Sequence, residues 1–372
     1  MRTTAACGLA AMALACASPA AHAQTGNIQI FGILDQAAEI ASHVNAGNGT
    51  SATQYRLGLG SVPSRLGFRG SEDLGGGLKA IFTLEGGINL DTGTSGQGSR
   101  MWGRQAMVGL QGDWGQVTLG RLYMMRYFAM FDGDFFGAGS QGTGTIDAGI
   151  PNARADNAIS YRYNPGGAGF SGGVNYSFGR DTVSANNPAA AGCAGESTIA
   201  KQCSEYSAML RYEGSNWAVA ASYDKMYGGT STTYGGLTNP DLTDSRAVIN
   251  GYVKFGKSSK FGWGWLARNN EGSATTPKSN LVWISGETHL SEPVVLTGML
   301  AQIKYKDSAN KASVLALRAN YWFSKRTTVY VSEQYVANKG TLAVAASTNS
   351  SGTGPLPGDS QNALQIGIGH SF

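Results

Sequence analysis

Charge is scarce in this chain. Asp, Glu, Lys and Arg make up 14% of its 372 residues, against about 25% in an average soluble domain. No block of lysines and arginines stands out, so a nucleic-acid partner has no electrostatic footprint. Histidine is scarcer still, at four residues, and beyond residue 23 only His43, His289 and His370 remain. They are scattered along the chain, so a hydrolase built on His with Ser or a carboxylate is not expected. The spacing of His and Cys suggests no metal, and no phosphate loop occurs. Gly75-Gly76-Gly77 has no helix after it, which makes it a hairpin turn and not a nucleotide signal. No cofactor is expected. After Ala23 no window of 18 consecutive apolar residues exists, so no transmembrane helix is expected.

Glycine and aromatics are what the chain has in quantity. There are 54 glycines, roughly twice average usage. They follow no three-residue period, which excludes collagen, and 10% aromatics argue against disorder. The first 23 residues read as a signal peptide. Arg2 supplies the positive start, Leu9 to Ala17 a short apolar run, and Ala21-His22-Ala23 the small-x-small cleavage site. A lipoprotein signal ending at Cys16 fits less well, because Leu14 stands one position too late. Residues 24–372 are then the exported domain. In an oxidising compartment Cys193 and Cys203 are expected to form a loop disulfide.

That domain is written in twos. In residues 157–163, Ile159, Tyr161 and Tyr163 share one face and Ser160 and Arg162 the other. The same alternation recurs in 170–178, 217–227, 261–268, 314–323 and 364–372. Short Gly/Asn/Asp/Ser turns fall at 72–77, 112–115, 164–169, 213–216, 256–260, 291–293 and 324–326. Long connections fall between them, at 42–63, 91–100, 123–155, 179–204, 228–243, 271–280, 306–312 and 339–361. Seven short turns and eight long loops delimit 16 strands. Short turns on one rim and long loops on the other predict an all-β fold, a transmembrane antiparallel 16-stranded β-barrel set in outer-membrane lipid. Hydrocarbon leaves no room for an open sheet edge.

Parity also predicts which face is wet. A basic side chain on the lipid face costs about 2–4 kcal/mol at the midplane. In Arg65-Leu-Gly-Phe-Arg69 the economical arrangement turns both arginines to the lumen. Lys79 and Glu85 share the inward face of the next strand, and Asp35 is taken as lumenal too. The aromatics Tyr161, Tyr163, Trp217, Tyr223, Trp265, Tyr321 and Phe323 fall mostly towards strand ends on the apolar face, where interfacial girdles form.

Several stretches resemble the trimeric general-diffusion porins of Gram-negative bacteria, in their β-proteobacterial branch. They are Ile28 to Asp35, Ser64 to Ala80, Gly103 to Arg121, Tyr321 to Thr327 and Gly367 to Phe372. The resemblance implies a homotrimer that passes small hydrophilic solutes and ions, and a final aromatic, Phe372, read by the insertion machinery. It implies that the third long loop folds inward. There Phe131, Phe135 and Phe136 would pack to the wall and Asp132 and Asp134 would face the eyelet, opposite Arg65, Arg69, Lys79, Arg121 and Arg162. The family's Pro before Asp134-Phe135 is missing here, so the match leaves the register of that segment open by a residue or two. The cationic surplus predicts a weak anion preference, and a substrate-specific channel is the alternative.

Overall fold

The computed structural model describes residues 27–146, 153–180, 193, 195–230, 234–348 and 354–372. The expected signal peptide lies outside them. Its strands are β1 (Asn27–Asn45), β2 (Ser51–Leu59), β3 (Arg65–Gly75), β4 (Leu78–Asn89), β5 (Thr94–Ser95), β6 (Gln105–Gly112), β7 (Gly115–Tyr123), β8 (Arg154–Tyr163) and β9 (Gly169–Ser177). They continue with β10 (Glu205–Glu213), β11 (Trp217–Tyr227), β12 (Thr243–Phe255), β13 (Ser259–Asn270), β14 (Lys278–His289), β15 (Val294–Tyr305), β16 (Lys311–Trp322), β17 (Thr327–Lys339) and β18 (Gln361–Ser371).

Every pairing is antiparallel, and β1 meets β18 from Ile33 opposite Ser371 to Ala41 opposite Ala363. The sheet is therefore closed, and among the described residues no strand is left with an open edge to hydrocarbon. β2 and β3 lie end to end against the two halves of β1, so together they fill one wall position. β5 is a two-residue pairing inside a loop. The wall is thus the 16-stranded antiparallel barrel expected.

The first connection is shorter than its composition suggests. Residues 42–63 do not form one long loop: β1 runs on to Asn45 and the chain returns at once as β2. Tyr55 and Leu57 point outward, 74% and 60% exposed, while Arg56 turns in to pair with Glu39. The basic residue masked an ordinary alternation.

Alternation is plain in β16. Leu315 and Leu317 are 42% and 54% exposed, whereas Val314 and Ala316, which alternate with them, are buried. The exposed leucines are the lipid face. The inner face here is apolar because loops cover it. The connection from β7 to β8 enters the barrel as a short helix, Met125–Met130, and then follows the inner wall. Its amide at Met125 donates to Ser207 Oγ (2.7 Å), that of Gly133 to Asn250 Oδ1 (2.9 Å) and that of Gly142 to Gln334 Oε1 (2.8 Å). Ser140 N reaches the Gly60 carbonyl at 3.1 Å. The connection before β18 also dips in, with Thr348 N donating to the Ser140 carbonyl at 2.9 Å. Between these loops and the wall, Phe136, Ile146, Leu266, Leu281, Trp283, Ile303 and Val336 form an apolar core. Part of the lumen is therefore packed like a protein interior, which narrows the water path. Gly32 and Phe372 exchange two backbone hydrogen bonds of 3.1 Å, which seals the chain end to β1.

Candidate pore constriction

Asp35 stands on β1 where β2 gives way to β3. Its carboxylate accepts from Ser61 N (3.2 Å), Ser61 Oγ (2.7 Å), Val62 N (3.3 Å) and Tyr330 Oη (2.6 Å). Gly60 is required there, because a Cβ would lie 1.8 Å from Asp35 Oδ1 and 1.9 Å from Tyr330 Oη. Asp35 is only 2% exposed. It closes the interruption in the wall and borders the chamber described below with its charge already answered by four donors.

A basic cluster begins at the next carboxylate. Glu85 on β4 is paired with Arg104 and lies 3.7 Å from Arg65 Nε. Arg104 Nη2 donates to Tyr123 Oη at 2.7 Å, and Arg154 Nη2 to the same oxygen at 2.9 Å. The Arg154 guanidinium also sits 4.5 Å from the Tyr123 ring centre, and Tyr127 of the inward loop stacks on Tyr123 at 4.1 Å. Burial pushes the Tyr127 phenol up to about 12, so it stays neutral. One carboxylate and two phenol side chains thus hold three guanidiniums. Planar guanidinium forks suit such a network better than lysine would.

The loop completes the site. Asp132 receives two hydrogen bonds from Arg211, 2.7 and 3.0 Å. Asp134 accepts from the amides of Phe136 (2.9 Å), Gly137 (3.3 Å) and Thr143 (3.2 Å) and from Thr143 Oγ1 (2.5 Å). Burial pushes its carboxyl above the usual range, against the pull of the Thr143 hydroxyl. Lys260 pairs with Glu287 at 3.0 Å and lies 4.3 Å from the Phe135 ring centre. Arg318 Nη2 donates to the Phe135 carbonyl at 3.0 Å. Arg65, Phe131, Phe135, Lys260 and Arg318 border a chamber of about 660 Å³. A solute crossing it meets cations backed by aromatic faces, with its water partly replaced by fixed donors.

The profile of Gram-negative porins matches residues 8–341. The chain belongs to the Gram-negative porin family. The porin is 31% identical to outer membrane porin protein 32 of Delftia acidovorans, over 98% of its own length and 99% of the relative's. It is 29% identical to an outer membrane porin of Bordetella pertussis, with the same two coverages. In fold it matches the anion-selective porin from Comamonas acidovorans with a TM-score of 0.74, at 24% identity, covering 93% of this chain and 100% of the other. The OmpT of Vibrio cholerae matches at 0.66 with 16% identity, over 94% and 99%. The porin is therefore a channel of the outer membrane, of the β-proteobacterial branch.

Within the porin, Arg65 and Glu85 come together as their parity suggests. Arg162 faces inward too, with its guanidinium 3.9 Å from the Phe128 ring centre. Arg69 and Lys79 do not join them. Arg69 donates to Gln29 Oε1 (2.9 Å) and covers Phe31. Lys79 stands opposite Asp73 beside the β3–β4 turn, six residues or roughly 20 Å along the strand from Glu85. Arg121 is held by Asp156 (2.7 Å) and the Gly103 carbonyl (2.8 Å) at the loop end of β7. Neither loop carboxylate offers the eyelet a free charge: Asp132 is occupied by Arg211, and Asp134 is 3% exposed inside its own loop. Cys193 and Cys203 are joined as a disulfide.

Arg104, Tyr123, Arg154, Arg211 and Arg318 escaped the sequence analysis. Arg211 and Arg318 carried a signal, since their neighbours Leu210, Tyr212, Leu317 and Ala319 face outward. Arg104 carried a misleading one. It shares parity with the outward Val108 and Leu110, and turns in only because the chain bends before β6.

Proposed function

We propose that this porin passes small hydrophilic solutes passively, with a weak preference for anions. One observation carries the preference. Arg154, Arg162 and Arg318 lie on inward faces with no carboxylate at ion-pair distance among the described residues, while Glu85 serves both Arg65 and Arg104. Such an imbalance raises the local anion concentration in a narrow aqueous path. The anion selectivity named for the Comamonas porin agrees with it. Reversal potential across a planar bilayer in a KCl gradient is the test. Its sign should report chloride preference, and clear potassium preference would overturn the proposal.

The working unit is a homotrimer, residues 1–23 are removed on export, and Phe372 marks the last strand for insertion. A trimer form is known for the Vibrio OmpT, and Ile28 and Ile30 leave an apolar outer face on β1, 65% and 59% exposed. Light scattering in detergent and N-terminal sequencing, with Gln24 expected first, check the first two points. Phe372→Ala should lower the amount of folded porin in the outer membrane.

A further inference from the structure

We propose that a cleft on the turn side of the constriction is a subsite for small aromatic carboxylates of the benzoate type. This deepens the channel function proposed above and rests on it. The cleft holds about 200 Å³ and lies between Tyr127, Phe128 and Phe131 of the inward loop and Arg162 and Arg211 of the wall, with Asn164 and Ser171 as neutral polar lining and Asp132 as the one carboxylate of that lining, held by Arg211. Arg162 is the last residue but one of β8, and Arg211 stands two residues before the end of β10, so both sit just inside short turns.

The two arginines differ in what they hold. Arg211 binds Asp132 through two hydrogen bonds and Glu213 through a third of 2.6 Å, so its charge is already answered. The Arg162 side chain makes no hydrogen bond or ion pair among the described residues, and its Nε is buried without a partner. Its guanidinium rests on the Phe128 ring and borders the cleft, so its donors are unspent where a ligand would sit. A guanidinium fork matches a carboxylate geometrically.

The rest of the lining selects what is attached to the carboxylate. Phe131 is 38% exposed, and its ring meets Tyr127 edge to face at 4.7 Å. With Met209 these rings make an apolar wall beside a cation. An apolar cavity of about 150 Å³ holds benzene, so this cleft has room for a ring and its carboxylate. Chloride would use the polar side of the cleft, Arg162 with Asn164 and Ser171, and leave the rings unused. An aliphatic acid would forgo the ring contacts, and an aromatic cation would meet Arg162 with the wrong sign. Tyr127 and Phe131 also border the larger chamber, so a ring held there stands at the solute path.

The test has two readouts on the folded porin: calorimetric titration in detergent, and block of chloride current in planar bilayers. Benzoate, cyclohexanecarboxylate, acetate and benzylammonium are compared. Benzoate should bind saturably and about fivefold more tightly than cyclohexanecarboxylate, the size of one aromatic pairing. Acetate and benzylammonium should not saturate. Arg162→Gln should weaken benzoate by about tenfold or more, and Phe131→Leu should erase the preference for the aromatic ring. Equal binding of benzoate and cyclohexanecarboxylate would overturn the proposal, as would an Arg162→Gln porin with unchanged benzoate affinity. If Arg162→Gln does not fold, Phe131→Leu decides alone. Benzoate binding without chloride conductance would remove the channel function and leave the subsite; conductance without discrimination would remove only the subsite.

Discussion

At the scale of single residues the charges divide into those that hold the structure and those that face the solute. Asp35 and Asp134 belong to the first group, since each is buried and accepts four hydrogen bonds. Their types were legible in the sequence, but their orientations were not, because an acidic residue in an inward loop can face water or its own amides. Asp35→Ala should leave the Ser61 and Val62 amides and the Tyr330 hydroxyl unanswered. The expected loss is about 2–3 kcal/mol, read as a lower urea midpoint with unchanged slope. Glu85 is also buried, at 6% exposure, but the charge it answers includes Arg65, which borders the chamber. Glu85→Gln removes the only carboxylate among the described residues at ion-pair distance from both Arg65 and Arg104. The reversal potential should move further towards the chloride limit. Stability should fall by about 1–3 kcal/mol, less than for a fully dry pair because Arg65 still reaches water.

At the scale of elements the decisive object is the inward loop, which is seated by close backbone approach as much as by side chains. A Cβ on Gly133 would lie 2.3 Å from the Trp263 carbonyl oxygen, and one on Gly139 would lie 2.2 Å from that of Ser61. No rotamer change relieves a clash with backbone. Gly133→Ala and Gly139→Ala should each lift the loop from the wall, at a cost of about 1–3 kcal/mol. Single-channel records should then show a larger and noisier conductance. Gly286→Ala on β14, with nothing within 4 Å of its Cβ, should leave the record unchanged. The loop's existence was legible from its length and from family resemblance. Its path was not, because Ser207, Asn250, Ser285 and Gln334 look like ordinary lumenal polar residues until the loop lies against them. The second intruding connection, reaching Thr348, gave no signal, since its small polar composition resembles that of the loops at the outer rim.

At the scale of the molecule the barrel was the most legible feature, because lipid imposes one rule on all strands at once. Polar side chains must turn inward, and a period of two carries that rule in every segment. A single strand such as β2 could be missed while the closed wall was still predicted. The pore's electrostatics are likewise a sum over strands. Arg154 on β8, Arg162 on β8 and Arg318 on β16 contribute from separate positions, so their effects should add when each is replaced by Gln, as for independent sites. A field of this kind acts through water and is screened. The Debye length falls from about 30 Å at 0.01 M salt to about 3 Å at 1 M. Chloride preference measured at a fixed concentration ratio should therefore decline steadily as total salt rises across that range. Benzoate block at the Arg162 cleft should decline less, because a guanidinium in direct contact with a carboxylate leaves little space for counterions between them. A chloride preference that stayed level up to 1 M would mean that selection occurs by contact at one site, and the summed field of the wall would then be too weak to matter.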